Sequence, residues 1–489
     1  MPALLASLYS RAPHWVQNLM VTGYDLSYYR RRGGEWKRYC RLYERLLRAP
    51  AQEHEQLQRE RLCSFLRFVR DNSPFYRERW EGIDLEQIRG PRDLLLLPVV
   101  TKEELRCNGD RIVTVPRRRS YGAHTGGTTG ASLEVRYTWP GFQERQAILD
   151  TFRGWHGWRP GARTAWFSGK TLLGPADEAR QRYWKTDWWF NIRYYSTFHL
   201  TPATLGAYID NLNQYNPRYL SGFPSNVFEI ADYARRSGKP ITCRPTAFFS
   251  TAETLLPHHS AVIEEQFGTR VVDQYSSSEG APFIVMCPRG RLHLLSASGV
   301  IEVLDENGKP SLSGEAVVTS FHTTGTPLVR YRIGDRITLA PPGSDCTCGC
   351  GAPLVARIEG REQDGVWSRE RGRINLGNIS NCVKYTPAIA RFQLVQRLPD
   401  ALCVLVEAGP QGLPQGQKER FLSELRDRVG PAMALELHLV ERIEREPGGK
   451  FRMVRNLLAP QQMGSAPPGG SAPAPAGPAP QFPDGRGAA

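Results

Sequence analysis

The sequence predicts an α/β protein with two unequal domains: a large multi-sheet N-terminal domain that includes a small antiparallel part, and a small α+β C-terminal domain. Three observations carry this. A chain of 489 residues that is 40% hydrophobic exceeds what one core usually fills. From RTAWFSG onward, strand-like and helical stretches alternate, the pattern of a parallel sheet. Near residue 361 the pattern restarts as two strands, a helix and a further strand, a module of roughly 100 residues, which is an ordinary domain size.

Taken in order, residues 1–56 read as a basic helical extension. Its start, MPALLASLYSRAPHWVQNLMV, is apolar but carries Arg11 and His14, and no run reaches the roughly 18 residues that span a bilayer. A cytoplasmic location is the expectation. Packing against the main domain and lying on a membrane surface, with Arg30, Arg31 and Arg32 alongside, both stay open. Leu42, Leu46 and Leu47, then Leu57, Leu62, Phe65 and Leu66, fall at helical spacing, and Asn72-Ser73-Pro74 breaks the pattern.

The large domain is expected over 57–360. TPATLGAYIDNLNQY, RYLSGFPSNVFEIADYARRSG and TAFFSTAET continue its strand–helix alternation, while GVIEVLDENGKP and GEAVVTSFH suggest an antiparallel sheet or small barrel. The small domain is expected over 361–459, with FQLVQRL, ALCVLVEA and LELHLVERI as strands and QKERFLSELRDRVG as an amphipathic helix. Residues 460–489 are a Pro/Ala/Gly-rich tail whose composition predicts disorder.

A formal charge of +14 calls for an anionic partner. Zinc-finger spacing, RNA-binding aromatics and a basic region with heptads are all missing, so nucleic acid is not expected. Ten cysteines scattered without a secreted-domain framework fit a reducing compartment.

Chemistry concentrates in a few stretches. YGAHTGGTTGAS packs Gly and Thr from Gly126 to Gly130, which suits backbone N–H groups and hydroxyls around a phosphate or a flexible turn between two strands. SGKTLLG is a decoy: a P-loop needs Gly five positions before its Gly-Lys, where this chain has Thr164. QYSSSEG places Tyr275 and Glu279 four apart after an apolar strand, RYRIGDRI offers Asp335, IEGREQDG offers Arg361, and PGGKFRMV offers Lys450. Singly, these also read as a strand-end cap, a turn, a linker charge and a solvated lysine. CTCGC (Cys346, Cys348, Cys350) and CPRGRLH (Cys287, His293) supply thiolates and an imidazole for a tetrahedral zinc, or are free thiols on a turn.

In this order and at these separations the stretches closely resemble the adenylate-forming ligases. The nearest branch is the phenylacetate-CoA-ligase-like one, which includes capsular-polysaccharide-type adenylating enzymes. LCSFLRFVRDNSPFYRERW, LPVVTKEELR, SGFPSNVFEIA, STAETL, PLVRYRIGD, CTCGCGAPL with RIEGR, and GGKFR carry the branch resemblance over residues 57–456. It implies an adenylation domain with a mobile C-terminal lid, ATP-dependent activation of a small carboxylic acid through an acyl-adenylate, and transfer to a thiol such as coenzyme A. Lys450, Glu279 and Thr129 would be catalytic, with Mg²⁺ on Glu279. Thr125, Gly126, Gly127, Thr128, Thr129, Gly130, Ala252, Glu253, Tyr275, Ser276, Ser277, Asp335 and Arg361 would hold ATP. The branch's Cys/His cluster implies a structural zinc on Cys287, His293, Cys346 and Cys348, with Cys350 as the alternate ligand.

One departure stands at the hinge, where Gln363 replaces the usual acidic pivot in Gly360-Arg361-Glu362-Gln363-Asp364. It keeps two alternatives open: an adenylating enzyme with a non-CoA acceptor in surface-polysaccharide biosynthesis, and a degenerate membrane-surface partner protein. Peripheral membrane contact and a homodimer also remain open. His124, His199, Ser221 and Phe223 stay outside the catalytic set, and the aromatics of 183–198 hint at an apolar or aryl acid.

Overall fold

The computed structural model describes residues 9, 11–124, 133–168, 170, 172–201, 203–361, 365–370, 372–374, 376, 379, 381–383, 386, 388–409, 411–446, 451–459 and 462. A six-stranded sheet lies at the centre of the large lobe. Its order is Trp184–Asp187, Ile192–Ser196, Thr164–Ser168, Tyr219–Gly222, Ala247–Ser250 and Arg270–Val272. All neighbours are parallel except the first pair. Every residue of Tyr219–Gly222 and Ala247–Ser250 is buried, because helices cover both faces of a parallel sheet, and this is why these strands read as continuous rather than alternating runs. Leu205–Tyr215, Pro224–Ser237 and Pro257–Phe267 are the crossover helices.

The stretch after residue 272 builds the antiparallel part as a seven-stranded sheet. Its order is Gly299–Leu304, Ser313–Ser320, Leu328–Leu339, Leu354–Arg361, Leu292–Leu294, Ile284–Met286 and Gln274–Tyr275. Leu62, Phe65, Leu66 and Val69 of the helix Ala51–Asn72 pack into its core. That helix runs unbroken across position 56.

The basic N-terminal helices are docked by buried charge. Arg61 grips Glu144 through two bonds, of 2.6 and 3.0 Å, and Tyr43 donates to the same carboxylate at 2.6 Å. This ties Ala51–Asn72 and Gly33–Leu46 to Trp139–Trp155. Helix His14–Arg30 lies along the edge strand Trp184–Asp187, where buried Lys185 donates to Asp177 at 2.7 Å and Asn18 accepts from the Thr186 N–H at 3.1 Å. Tyr194 donates to Asp25 at 2.7 Å, while Tyr195 stacks on Phe167 and Tyr183 on Tyr208. Tyr183, Tyr194 and Tyr195 are thus spent on sheet and helix packing, whereas Trp188 and Trp189 of the same stretch are exposed. No helix among the described residues is long and apolar enough to cross a membrane.

The small lobe has a sheet of order Ala434–Leu439, Ala401–Ala408, Ile389–Leu398, Val454–Asn456, covered by Gln415–Val429 through Phe421, Leu425 and Val429. The last strand pairs parallel to Leu394–Gln396 and has no counterpart in the sequence reading.

Three histidines are held neutral inside the large lobe. Burial pushes His258 down to about 4, burial first and then the adjoining His258 ring keep His259 well below the ordinary value, and burial first and then Arg145 do the same for His322. Unfolded imidazoles bind protons below about 6.5, and these do not until far lower, so their contribution is complete above that pH and is lost as pH falls toward 4. The urea midpoint should therefore drop across this window, and His259→Leu should flatten the drop. A wild-type midpoint that stays level contradicts the assignment.

Candidate active site

The parallel strands Tyr219–Gly222, Ala247–Ser250 and Arg270–Val272 all end on one side of the sheet, the side where open α/β sheets bind ligands. Beyond Ser250 the chain turns through Ala252, whose φ of +65° is unfavourable for any residue with a Cβ. Glu253 then accepts from the Ser225 N–H and hydroxyl, both at 3.1 Å, so its carboxylate tops the helix Pro224–Ser237. Beyond Val272 comes Tyr275. Its hydroxyl donates to Asp335 at 2.6 Å, although three strands separate theirs in the sheet order, so the seven-stranded sheet must curl to bring them together. Gly334, at φ +81°, sits at a register shift within the strand Leu328–Leu339, and this irregularity presents Asp335. The Arg361 backbone pairs with Asp335 across the ladder.

Glu279 is 2% exposed. Ser277 Oγ accepts from the Gly280 and Ala281 N–H groups at 3.1 and 3.0 Å and so fixes the turn around it. Gly280 has φ +100°, and a Cβ there would meet Thr323 Cγ2 at 2.4 Å, so only glycine fits beside Glu279. Ser276 lies half-buried in the same turn.

Sequence reasoning missed the residues behind this turn. Tyr137 donates to Ser278 O at 2.8 Å; burial first, and among its neighbours the Glu279 charge, push its hydroxyl up to about 12. Arg145 donates to Ser277 O at 3.0 Å, lies 3.2 Å from His322 Nε2, and faces the Tyr137 and Phe283 rings. Nothing in GFQERQ marks that arginine, since its role comes from a turn 132 residues away.

The structure thus brings Ala252, Glu253, Tyr275, Ser276, Ser277, Glu279, Asp335 and the Arg361 backbone to the strand ends and the curled sheet. Thr125, Gly126, Gly127, Thr128, Thr129, Gly130, Gln363 and Lys450 lie outside the described residues. The antiparallel strands Ser120–His124 and Glu134–Thr138 flank the Gly/Thr loop, with His124 opposite Glu134. Of the side chains left out of the catalytic set, His199 pairs with Ser196 at 2.7 Å and Glu178 at 3.1 Å, and Ser221 and Phe223 are buried.

A second cluster forms where the hairpin Ile284–Met286/Leu292–Leu294 meets the loop at 346–350. The ligand atoms of Cys287, His293, Cys346 and Cys348 lie within 4.8 Å of one another. Cys287 Sγ is 3.7 Å from Cys346 Sγ, and Cys348 Sγ is 3.4 Å from His293 Nε2. His293 Nδ1 is 3.1 Å from the Ala352 carbonyl, an orienting bond that turns Nε2 toward the thiols. Cys350, the alternate ligand, faces the other way, 3.8 Å from Leu46 O and 3.9 Å from His54 Nε2. Gly351 packs so tightly on Pro50–Ala51 that a Cβ would meet Ala51 N at 2.3 Å.

The CapK C-terminal domain family matches residues 366–457. Protein CapK of Staphylococcus aureus is 29% identical over 468 residues, covering 93% of this chain and 100% of that protein. A phenylacetate-coenzyme A ligase of Thermus thermophilus is 23% identical over 448 residues, covering 83% and 97%. Among solved structures, 2-hydroxyisobutyryl-CoA ligase in its postadenylation state superposes with a TM-score of 0.67 at 21% identity, covering 84% of this chain and 90% of that one. With the curled sheet, the strand-end cluster and relatives that span nearly the whole chain, this protein belongs to the adenylate-forming superfamily, in its phenylacetate-CoA-ligase-like branch.

Proposed function

We propose that this chain activates a carboxylic acid with ATP, as an acyl-adenylate, and passes the acyl group to coenzyme A. The observation that carries the reading is the Tyr275–Asp335 hydrogen bond, with Glu253 and Glu279 a few residues along the chain from the parallel strand ends, in a chain similar along most of its length to phenylacetate-CoA ligases.

Joining a carboxylate to the α-phosphate brings two anions together, so positioning and charge neutralisation matter more than proton transfer. Tyr275 and Asp335 take the adenine and ribose, with Ala252 and Glu253 bordering the base, Ser276 and Ser277 shaping the turn below it, and Arg361 near the nucleotide. The buried carboxylate of Glu279 offers a hard oxygen ligand that fits Mg²⁺, which would supply positive charge beside the phosphates. Thr125, Thr128 and Thr129, with the N–H groups of Gly126, Gly127 and Gly130, steady the leaving pyrophosphate, and Lys450 bridges carboxylate and α-phosphate. ATP–pyrophosphate exchange across a panel of aryl, fatty, hydroxy and amino acids tests the reading. Lys450→Ala should abolish exchange yet leave thioester formation from a supplied acyl-adenylate largely intact, and equal loss of both steps contradicts the role. A second reading, a non-CoA acceptor, rests on Gln363, the neutral residue at the hinge position where an acidic pivot is expected. It predicts exchange without a CoA-dependent product.

Cys287, His293, Cys346 and Cys348 form a closed set of three thiols and one imidazole that suits a structural zinc, pinning the 346–350 loop and, through Gly351, the turn at 49–51. Protein never exposed to chelator should contain one zinc per chain and lose it in Cys346→Ser. Metal-free wild type rules the site out.

The N-terminal region supports contact with an anionic membrane surface. Exposed Trp15 and Leu19 lie on the helix His14–Arg30, whose Thr22 accepts from the N–H of exposed Trp188 at 3.1 Å, with exposed Trp189 next in the chain. The first 48 residues carry nine Lys and Arg against three Asp and Glu, a complement to acidic headgroups. Sedimentation with phosphatidylserine vesicles, weakened by salt and by Trp188→Ala/Trp189→Ala, is expected. Self-association through these residues with no vesicle binding would contradict it.

A further inference from the structure

Between the lobes lies a cluster of charge that the nucleotide site does not use. Glu229, on the large-lobe helix Pro224–Ser237, accepts from two small-lobe arginines, Arg391 and Arg445. Arg391 also pairs at 3.1 Å with Glu407, its cross-strand neighbour, and Glu407 accepts the Ile443 N–H. The cluster is largely dry: the side chains of Glu229, Arg391, Arg445 and Glu407 are 14, 13, 5 and 12% exposed. Beside it, Leu256 of the large lobe packs into the small-lobe core and Arg442 donates to Phe198 O at 3.2 Å.

We propose that Glu229 is a positioning residue for adenylation: its single carboxylate docks the small lobe onto the helix Pro224–Ser237 and thereby delivers the 447–450 segment to the nucleotide. Two features give it that leverage. Arg445 stands five residues before Lys450, a tether of at most about 18 Å, so fixing the arginine confines the lysine. The helix that bears Glu229 has Glu253, at the strand-end cluster, capping its first turn through Ser225, so dock and nucleotide site share one rigid element. A buried pair is a poor source of net stability but a good source of registry, because each partner left behind is a buried charge without its counterion. The pairing also has to break whenever the small lobe turns to its thiolating face, so it sets the balance between the two poses. This inference rests on the two-step reading above.

Glu229→Gln keeps the shape and removes the charge. The kcat for pyrophosphate exchange should fall about tenfold to a hundredfold with little change in the KM for ATP, because most of the proposed nucleotide contacts lie on the large lobe. Thioester formation from a supplied acyl-adenylate should be unchanged or faster, and Glu229→Asp should recover part of the exchange. Unchanged kcat, or an equal fall in both steps by a natively melting protein, overturns the proposal. Small-angle scattering gives a readout independent of activity: the radius of gyration of Glu229→Gln should rise as the small lobe loosens. If wild type exchanges with no acid, the functional reading fails, and an unchanged radius then also overturns the dock. Arg445→Met serves for the same comparisons should Glu229→Gln not fold.

Discussion

The 2.6 Å hydrogen bond from Tyr275 to Asp335 ties the edge strand Gln274–Tyr275 back to the interior strand Leu328–Leu339 of the seven-stranded sheet, and the geometry of the candidate site follows from that closure. Tyr275 continues the chain leaving the last parallel strand, while Asp335 belongs to the long strand that pairs with Leu354–Arg361 and leads to the small lobe. One contact therefore joins the parallel sheet, the curled sheet and the exit toward the hinge. Without the curl, the two strands would lie four spacings apart, about 19 Å at the roughly 4.8 Å strand spacing.

Around that closure the molecule uses buried ion pairs as fasteners. Arg61 on Glu144, Arg330 on Glu302 at 2.8 Å and the arginines on Glu229 each join segments far apart in sequence. Apolar burial supplies the driving force but is tolerant of sliding, whereas a desolvated charge has one acceptable partner. The basic excess of the chain is thus partly structural: some of its arginines are committed to internal carboxylates rather than to an external anion.

The motifs of the site were legible because each concerns local backbone. Glycine next to Asp335 and Glu279, a small residue at 252 and Tyr four before Glu279 are patterns of adjacent residues, and the structure supplies the reason in positive φ at Ala252, Gly280 and Gly334. Arg145, Tyr137 and His322 were not legible, since they act on the turn at 277–279 from other elements. The strand Val454–Asn456 went unread for a related cause. Three residues carry no periodicity, and they become a strand only by pairing with Leu394–Gln396, some 60 residues earlier. The abundant aromatics of 183–198 divide between packing, as with Tyr183 and Tyr195, and exposure, as with Trp188 and Trp189, because residue type alone does not tell a pocket from a docking face.

By itself the sequence determined the class of each lobe, the order of the motifs and the residue types that chemistry on phosphates and carboxylates requires. These depend on spacing along the chain, which hydrophobic periodicity and glycine placement encode directly. Only the tertiary structure decided that Cys350 faces away from the other three sulfurs, that Tyr275 touches Asp335, and that Glu229 gathers Arg391 and Arg445. Each of these is a meeting of side chains across tens or hundreds of residues, set by how sheets curl and lobes dock, and no local pattern carries that information.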